Sequence, residues 1–187
     1  MSISHYFIAV PLPNELKEKL AEWQKVLKKH VTYKQWPHVE DLHITLKFLG
    51  AVSEEKLKKV TMELKSMETL SPFQLNVHSI GSFGNPQKPR VLWAGVDTTE
   101  DIKDLQQKVA NCAEKCGFSM ENRPYRPHIT LAKKWDGTGK FNLDEIRQYF
   151  IGEKYIFEVN KIILYQIFPS NTPKYKAMNT FQLVGRE

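Results

Sequence analysis

Two histidines in this sequence each begin the same tetrapeptide. His43-Ile44-Thr45-Leu46 recurs as His128-Ile129-Thr130-Leu131. Isoleucine and leucine suit strands, and the side chains of a strand alternate between its two faces. Each copy is therefore predicted to present an imidazole and a hydroxyl together on one face, with two aliphatic side chains buried behind them.

Two such faces suit the hydrolysis of a phosphodiester. A neutral histidine takes a proton from the attacking water and a protonated one gives a proton to the leaving oxygen, and a reference pKa of about 6.5 makes both forms available near neutral pH. The hydroxyls of Thr45 and Thr130 can donate to the non-bridging oxygens. We predict that approximate twofold symmetry sets the two copies against each other across a cleft. The alternative is two ordinary strands whose histidines and threonines have no chemical role.

The elements that must hold these faces follow a plan that occurs twice along the chain. Apolar spacing, turn residues and caps predict strands separated by amphipathic helices. Strands are predicted at residues 6–10, 32–36, 43–49, 73–77, 91–96, 128–132, 157–168 and 177–184, and helices after a cap at Asn14, from 53 onward, from 101 to 116 and from 143 to 150. This order indicates an α+β fold with antiparallel sheets.

Size and composition are those of one globular domain, residues 1–187. Hydrophobic residues make up 41% of the chain and charged residues 26%, which argues against a disordered protein. No Pro-, Ser- or Gly-rich linker divides the chain, so two lobes would share a tight junction. The apolar runs are too short to span a membrane and the N-terminus lacks a signal-peptide pattern, so we expect a cytoplasmic protein. Cys112 and Cys116 are then expected to be free thiols.

The chain carries a formal net charge of +6. Such an excess attracts polyanions, nucleic acid among them. A lysine-rich surface that merely keeps the protein in solution would give the same excess. The charge therefore bears on function only beside a site that handles phosphate.

Four stretches of the chain resemble the 2H phosphoesterase superfamily, which is named for two His-x-Thr/Ser motifs. They are Tyr6–Pro13, Leu42–Gly50, Pro89–Gly95 and Tyr125–Ala132. Within that superfamily the chain is most similar to the bacterial RNA 2′,3′-cyclic phosphodiesterases, also called 2′,5′ RNA ligase-like proteins. The resemblance implies a bilobal fold of two pseudo-symmetric antiparallel β-sheet lobes, with helices on the outside and both motifs in the central cleft.

The same resemblance implies a reaction and a role for each histidine. A 2′,3′-cyclic phosphate on an RNA end is hydrolysed to a 2′-phosphate, and the 3′-oxygen leaves. His43 would be the proton donor and His128 the proton acceptor, although identical motifs do not assign these roles by themselves. The chemistry is metal-independent, so we expect no metal and no cofactor. The expected partners are RNA ends or small cyclic phosphodiesters, the expected state is a monomer, and no membrane is involved.

Charged residues close to the motifs are candidates for phosphate contacts. Family members often carry an arginine five residues after the second histidine, where this chain has Lys133, which keeps the charge but loses the bidentate geometry. Strict alternation places Lys133 on the face opposite His128, so it reaches the phosphate only if the strand bends or ends. Lys47 has the right alternation to lie on the His43 face or to extend into solvent. Arg126, just before the second motif, is a further candidate.

Other residues could carry chemistry, but a structural interpretation is favoured for each. His38, Asp41 and His43 lie close in sequence, yet neither a strand nor a loop would converge them on a metal ion. The remaining histidines have no motif around them and are expected to be structural or on the surface: His5, His30 and His78. Three aromatic residues could stack on a nucleobase but are more typical of core, and Phe48 has the wrong alternation: Phe7, Phe48 and Trp93.

Two other functions use the same residues. The motifs could hold a phosphate without turnover, which would make the protein a nucleotide or RNA-end binding module. Retention of two histidines argues against this, because binding alone needs no matched acid and base. The third possibility is ligation of RNA through a 2′,5′ bond at the same site, where water normally favours hydrolysis. The sequence does not identify the natural substrate.

Overall fold

A computed structural model describes residues 3–185 of the chain. The strands in this part are β1 (His5–Pro11), β2 (Tyr33–Gln35), β3 (His43–Ala51), β4 (Phe73–Asn85), β5 (Lys88–Val96), β6 (His128–Trp135), β7 (Lys154–Val159), β8 (Lys161–Ile167) and β9 (Tyr175–Gln182). The helices are α1 (Asn14–Leu27), α2 (Glu54–Leu64), α3 (Glu100–Lys115) and α4 (Leu143–Gln148), with short 3₁₀ turns at Val39–Asp41 and Lys65–Thr69.

The strands form two antiparallel sheets. One sheet has the order β3-β1-β8-β9 and the other the order β2-β6-β5-β4-β7. The predicted α+β class with two antiparallel sheets is confirmed. The first sheet pairs strands from the beginning of the chain with strands from its end, so the two sheets interlock and are not successive halves of the sequence.

The predicted repeat is visible in the pairing. The first motif strand, β3, pairs with β1, and α1 lies between them in sequence. The second motif strand, β6, pairs with β5, and α3 lies between them in sequence. Strand, helix and motif strand therefore recur as β1-α1-β3 and β5-α3-β6, one unit in each sheet.

The aliphatic residues of both motifs are fully buried, as the alternation predicts. Ile44, Ile129 and Leu131 are fully buried, and Leu46 is almost as deeply buried. Helix α1 packs its apolar stripe into the same core through Leu16, Leu20, Trp23 and Leu27. Burial of these side chains fixes which face of each motif strand is turned outward, and the histidines and threonines lie on it.

The helix starts predicted at 53, 101 and 143 lie within one residue of those observed for α2, α3 and α4. Ser53 caps α2 by accepting from the Lys56 amide at 3.4 Å. The cap predicted at Asn14 is wrong, because Asn14 is already helical and Pro13 holds the N-cap position. The proline has a φ of −66° and a ψ of 153°, an extended conformation that its ring favours, and this moves the helix start by one residue.

The strand predicted at 157–168 is also wrong. The structure divides it at Asn160 into β7 and β8, which belong to different sheets. The Asn160 carbonyl accepts from the Leu183 amide at 2.8 Å, which ties this crossing point to the end of β9. A continuous apolar run does not reveal that the chain changes sheets within it.

Two remaining expectations concern the membrane and the thiols. No helix within residues 3–185 is long and apolar enough to cross a membrane. Cys112 and Cys116 are free thiols, the first buried and the second half-buried.

Candidate active site

The two motif strands meet where the sheets face each other. β3 lies at the edge of one sheet and β6 lies within the other, and their Cα atoms approach within 8 Å. Between them is a cavity of ≈270 Å³. Both sheets contribute side chains to it, among them His43, Thr45, Phe48, Thr130, Lys133 and Tyr175. The structure thus brings the two motifs together around one space.

His43 is held in one tautomer and one orientation. Its Nδ1 lies 2.7 Å from the Asp41 carbonyl oxygen, which can only accept, so Nδ1 carries the hydrogen. Its ring packs against Phe7, with centroids 4.7 Å apart, and against the edge of Tyr175 at 5.4 Å. The buried Asp41 carboxylate is itself fixed by the backbone amides of Lys174 and Tyr175 at 2.9–3.1 Å. Nε2 is thereby left for chemistry.

His128 is held in the same way in the second copy. Its Nδ1 donates to the Arg126 carbonyl at 2.7 Å, again a carbonyl two residues earlier. Phe83 packs edge-on against the ring with centroids 4.9 Å apart, and Trp93 lies at 6.1 Å. His128 precedes Thr130 by two positions on the same strand face. Thr130 lines the cavity, whereas His128 is half-buried at the start of β6 and outside the cavity lining.

Both imidazoles have lowered pKa values. Burial lowers the pKa of His43 to about 4, the Asp41 carbonyl opposes this, and the charges of Lys133 and His128 lower it further. Burial also lowers the pKa of His128, against the opposing effect of the Arg126 carbonyl. The charge of His128 therefore acts on His43, and both imidazoles are mainly neutral at pH 7, with a lone pair on Nε2.

Each motif strand contains a one-residue bulge directly after its threonine. In β3, neighbouring residues of β1 pair with Thr45 and Lys47, which leaves Leu46 as the extra residue. In β6, neighbouring residues of β5 pair with Thr130 and Ala132, which leaves Leu131 as the extra residue. A bulge of this kind reverses the alternation of every residue beyond it.

The bulges decide which residues reach the cavity. Lys133, predicted by strict alternation to face away from His128, returns to that face and lines the cavity. Phe48 does the same in β3, so its predicted orientation was wrong, and 52% of the residue is exposed. The predicted orientation of Lys47 was wrong for the same reason. Its buried ammonium group turns to the other side of β3 and donates to the Ser119 carbonyl at 2.9 Å.

Two glutamines that were not predicted from the sequence hold these bulges. Gln24 of α1 donates to the carbonyl of Leu131 at 3.0 Å, and Gln106 of α3 donates to the carbonyl of Leu46 at 3.3 Å. Each helix therefore donates a side-chain hydrogen bond to the bulge carbonyl in the motif strand of the other half of the molecule. A glutamine within an amphipathic helix carries no signal for this role, although the burial of Gln24 does once the structure is known.

The other predicted site residues occupy distinct positions. The Thr45 hydroxyl lies 2.9 Å from Nε2 of His43 and donates to it while that nitrogen is unprotonated. Arg126 gives its carbonyl to His128, whereas its side chain is exposed and outside the cavity lining, so its phosphate contact stays a prediction. Burial lowers the pKa of Lys133, and the charges of Lys174 and Lys134 add to the effect.

The aromatic and histidine candidates divide between core and surface. Phe7 is buried and packs on Tyr165 at 5.1 Å as well as on His43. Trp93 covers Gly81, where no side chain would fit beneath its ring. His78 pairs with Asp97 at 2.5 Å. Within residues 3–185, no group of three His, Cys, Asp or Glu side chains is placed to hold a metal ion.

Comparison with known proteins gives consistent matches over nearly the whole chain. The sequence family described as the AKAP7 2′5′ RNA ligase-like domain matches residues 4–183. The RNA 2′,3′-cyclic phosphodiesterase of Geobacillus stearothermophilus is 36% identical over 186 residues, which are 99% of this chain and 59% of that relative. This chain thus spans well under two thirds of that protein. The enzyme of the same name from Bacillus subtilis is 33% identical over 180 residues, and the match covers 96% of each.

A solved structure extends the comparison to the fold. The crystal structure of E. coli LigT complexed with 3′-AMP superposes with a TM-score of 0.79 at 25% identity, covering 97% of this chain and 99% of that one. The likeness therefore includes both sheets and the helices around them.

Proposed function

The chain belongs to the 2′5′ RNA ligase-like family of 2H phosphoesterases, and from this we propose that it hydrolyses 2′,3′-cyclic phosphates on RNA ends to 2′-phosphates. Relatives that carry the name RNA 2′,3′-cyclic phosphodiesterase support the reaction, and one of them matches over 96% of both chains. E. coli LigT has been crystallised in complex with 3′-AMP, a nucleotide with a phosphate on its ribose, and this also supports the proposal.

One observation carries the proposal. His43 lines the cavity from one sheet, His128 begins the motif strand whose Thr130 lines it from the other, and a carbonyl two residues earlier fixes each imidazole in the tautomer with its lone pair on Nε2. In-line displacement at phosphorus needs a base for the entering water and an acid for the departing oxygen on opposite sides. A pair of histidines on facing sheets can supply both groups, whereas simple phosphate binding needs no matched acid and base.

The proposed reaction balances without any further reactant. His128 takes a proton from water as the water oxygen attacks phosphorus. The bond between phosphorus and the 3′-oxygen breaks, and protonated His43 gives its proton to that oxygen. The product carries a 2′-phosphate and a 3′-hydroxyl, and proton exchange with solvent restores both histidines. The assignment of donor and acceptor follows the family pattern.

The substrate supplies the change in pKa that this scheme needs. In the free protein His43 is mainly neutral at pH 7, but a donor must carry a proton. A cyclic phosphate bears one negative charge, and an anion beside an imidazole raises its pKa. Protonated His43 would then carry a hydrogen on Nε2 and could no longer accept from Thr45, so the Thr45 hydroxyl would turn its hydrogen toward a phosphate oxygen. The Nε2 hydrogen would pass to the 3′-oxygen as that oxygen departs.

Three side chains are proposed to hold the phosphate. Thr45 and Thr130 provide hydroxyl donors from opposite sheets, and Lys133 provides a positive charge at the cavity wall. The exposed ring of Phe48 lies on the other side of the cavity and offers a surface on which a base can stack. RNA ends are the proposed substrates. The monomeric state and the cytoplasmic location stay predictions from the sequence.

Phosphorus NMR tests the reaction directly. The chain is incubated in excess EDTA with adenosine 2′,3′-cyclic phosphate, and adenosine 2′-phosphate is expected as the product. Persistence of the cyclic phosphate at high protein concentration would overturn the hydrolase proposal and favour the binding module. A 3′-phosphate product would contradict the proposed leaving group.

A further inference from the structure

A second cavity of ≈270 Å³ continues from the candidate active site. The two cavities share Pro37, Asp41, Lys133 and Tyr175 as walls. Beyond Lys133 the second cavity is lined by further residues that include two exposed lysines, Lys34 and Lys174. Lys34, Lys133 and Lys174 together define what we term the lysine groove, which the proposed reaction does not use beyond Lys133.

The lysine groove keeps a net positive charge, because its three lysines share the wall with one acidic side chain, Asp41, whose charge partly offsets that of Lys133. Across residues 3–185, no carboxylate lies within 4.0 Å of the ammonium groups of Lys34, Lys133 or Lys174. Asp41 is the acidic residue in the wall, and its oxygens already accept from the backbone amides of Lys174 and Tyr175. Lys174 also repels Lys133, and this repulsion lowers the pKa of Lys133 after the larger effect of burial. Lysine ammonium groups that lie near one another without a paired carboxylate attract an anion.

A third, larger cavity in the described part of the chain is not continuous with the candidate active site. It has a volume of ≈390 Å³, lies on the far side of β3 and shares no lining residue with the candidate active site. Its buried lysine, Lys47, is already bonded to the Ser119 carbonyl and to Glu121. The exposed Arg123 also lines this cavity, but the cavity shares no wall with the candidate active site, whereas the lysine groove is continuous with it. A strand of nucleic acid whose end is at His43 and His128 therefore meets the lysine groove first.

We propose that the lysine groove binds the phosphate on the 5′ side of the terminal nucleotide, so that the preferred substrate is an oligonucleotide end and not a free cyclic nucleotide. This inference rests on the proposed function. The backbone of a single strand places its next negative charge one nucleotide away from the cyclic phosphate. Lysines that track the backbone in a groove are the usual means of binding such a strand without reading its sequence.

The test compares three substrates that differ only on the 5′ side. They are adenosine 2′,3′-cyclic phosphate, the same compound with a 5′-phosphate, and the dinucleotide ApA with a terminal 2′,3′-cyclic phosphate. The variant K34Q/K174Q keeps the full chain and Lys133. We expect kcat/KM to fall roughly tenfold for the two substrates with a 5′-phosphate group, mainly through KM, and less than about twofold for the simple cyclic nucleotide.

The control removes the same net charge at a distance. Lys58 and Lys65 are exposed residues of and beside α2, outside the cavities described, and K58Q/K65Q should leave all three substrates nearly unchanged. Equal losses on all three substrates with K34Q/K174Q, or no loss on any, would overturn the lysine groove. A loss with K58Q/K65Q as large as with K34Q/K174Q would also overturn it. Failure of the wild-type chain to hydrolyse the simple cyclic nucleotide would instead refute the proposed function.

Discussion

Phe48 and Lys133 occupy equivalent positions in the two halves of the molecule. Each lies five residues after its motif histidine, and each is returned to the histidine face by a bulge at the intervening leucine. The motifs themselves are identical, so this pair is a difference between the two halves at positions that are otherwise equivalent. An aromatic ring on one side and an ammonium group on the other give the cavity a direction, which a substrate with a base and a phosphate requires.

Replacing Lys133 tests the charged side of the cavity. K133M removes the positive charge while keeping most of the side-chain volume, and we expect kcat/KM for adenosine 2′,3′-cyclic phosphate to fall by roughly ten- to a hundredfold because a charged hydrogen bond to phosphate is lost. K133R restores a charge with bidentate geometry and should retain most of the activity. Equal activity of K133M and wild type in a steady-state assay would remove Lys133 from the phosphate site.

The bulge in β6 can be tested through Gln24. Q24M fills similar space but cannot donate to the carbonyls of Leu131 and Pro37, which we expect to cost about 1–3 kcal/mol of unfolding free energy in denaturant titrations. Because the bulge positions Lys133, kcat/KM should fall in the folded variant as well. The exposed neighbour of Gln106 provides a matched control, since Q107M should change neither quantity.

If Q24M lost stability but kept the full kcat/KM of the wild type at a temperature where it is folded, the bulge would be a structural feature without influence on the site. The double variant Q24M/K133M tests whether Q24M lowers activity through Lys133. The activity losses of Q24M and K133M should then be less than additive, because both act through the same ammonium group.

Thr45 should matter through its hydroxyl and not through its shape. T45V removes the donor and the partner of His43 Nε2, and we expect kcat to fall by roughly ten- to a hundredfold. T45S keeps the hydroxyl and should stay within several-fold of wild type. Single-turnover rates of the two variants provide the comparison, and similar losses in both would contradict a hydrogen-bonding role.

The lowered histidine pKa values fix the pH dependence. In the free protein the pKa of His43 is about 4 and that of His128 is below its usual value, so both protons are lost at lower pH than in a free imidazole. The bell-shaped curve of kcat/KM lies between these two values and should have its maximum below pH 6.5, the reference pKa of a histidine. The maximum of kcat should lie at higher pH, because the bound anion raises both values. A kcat/KM maximum above pH 7 would contradict the burial of the two imidazoles.

The sequence predicted the parts of the fold that depend on local pattern. The alternation within His43–Leu46 and His128–Leu131 correctly placed the aliphatic residues in the core, and the repeated order of elements correctly indicated two antiparallel sheets. The sequence did not predict that the chain passes from one sheet to the other at Asn160. The residues before and after Asn160 together have the composition of one continuous strand.

The positions of the residues that follow each motif could not be predicted from the sequence, because they too depend on contacts between distant parts of the chain. Phe48, Lys47 and Lys133 were misplaced by strict alternation, since a bulge is one extra residue that long-range contacts hold in place. Those contacts come from Gln24 and Gln106, each far along the chain from the carbonyl that it holds, so no local pattern could indicate them. The approach of the two motif strands to one cavity was predictable only through the repeat and the family resemblance.

The central claim is that one phosphate contacts both His43 and His128. Titration of the imidazole ¹⁵N signals by NMR, with and without adenosine 2′-phosphate, tests it most directly, with H43Q and H128Q used to assign the signals. The claim predicts lowered pKa values for both histidines in the free protein and a rise in both when the product binds. A rise in only one of them, or in neither at saturating product, would contradict it.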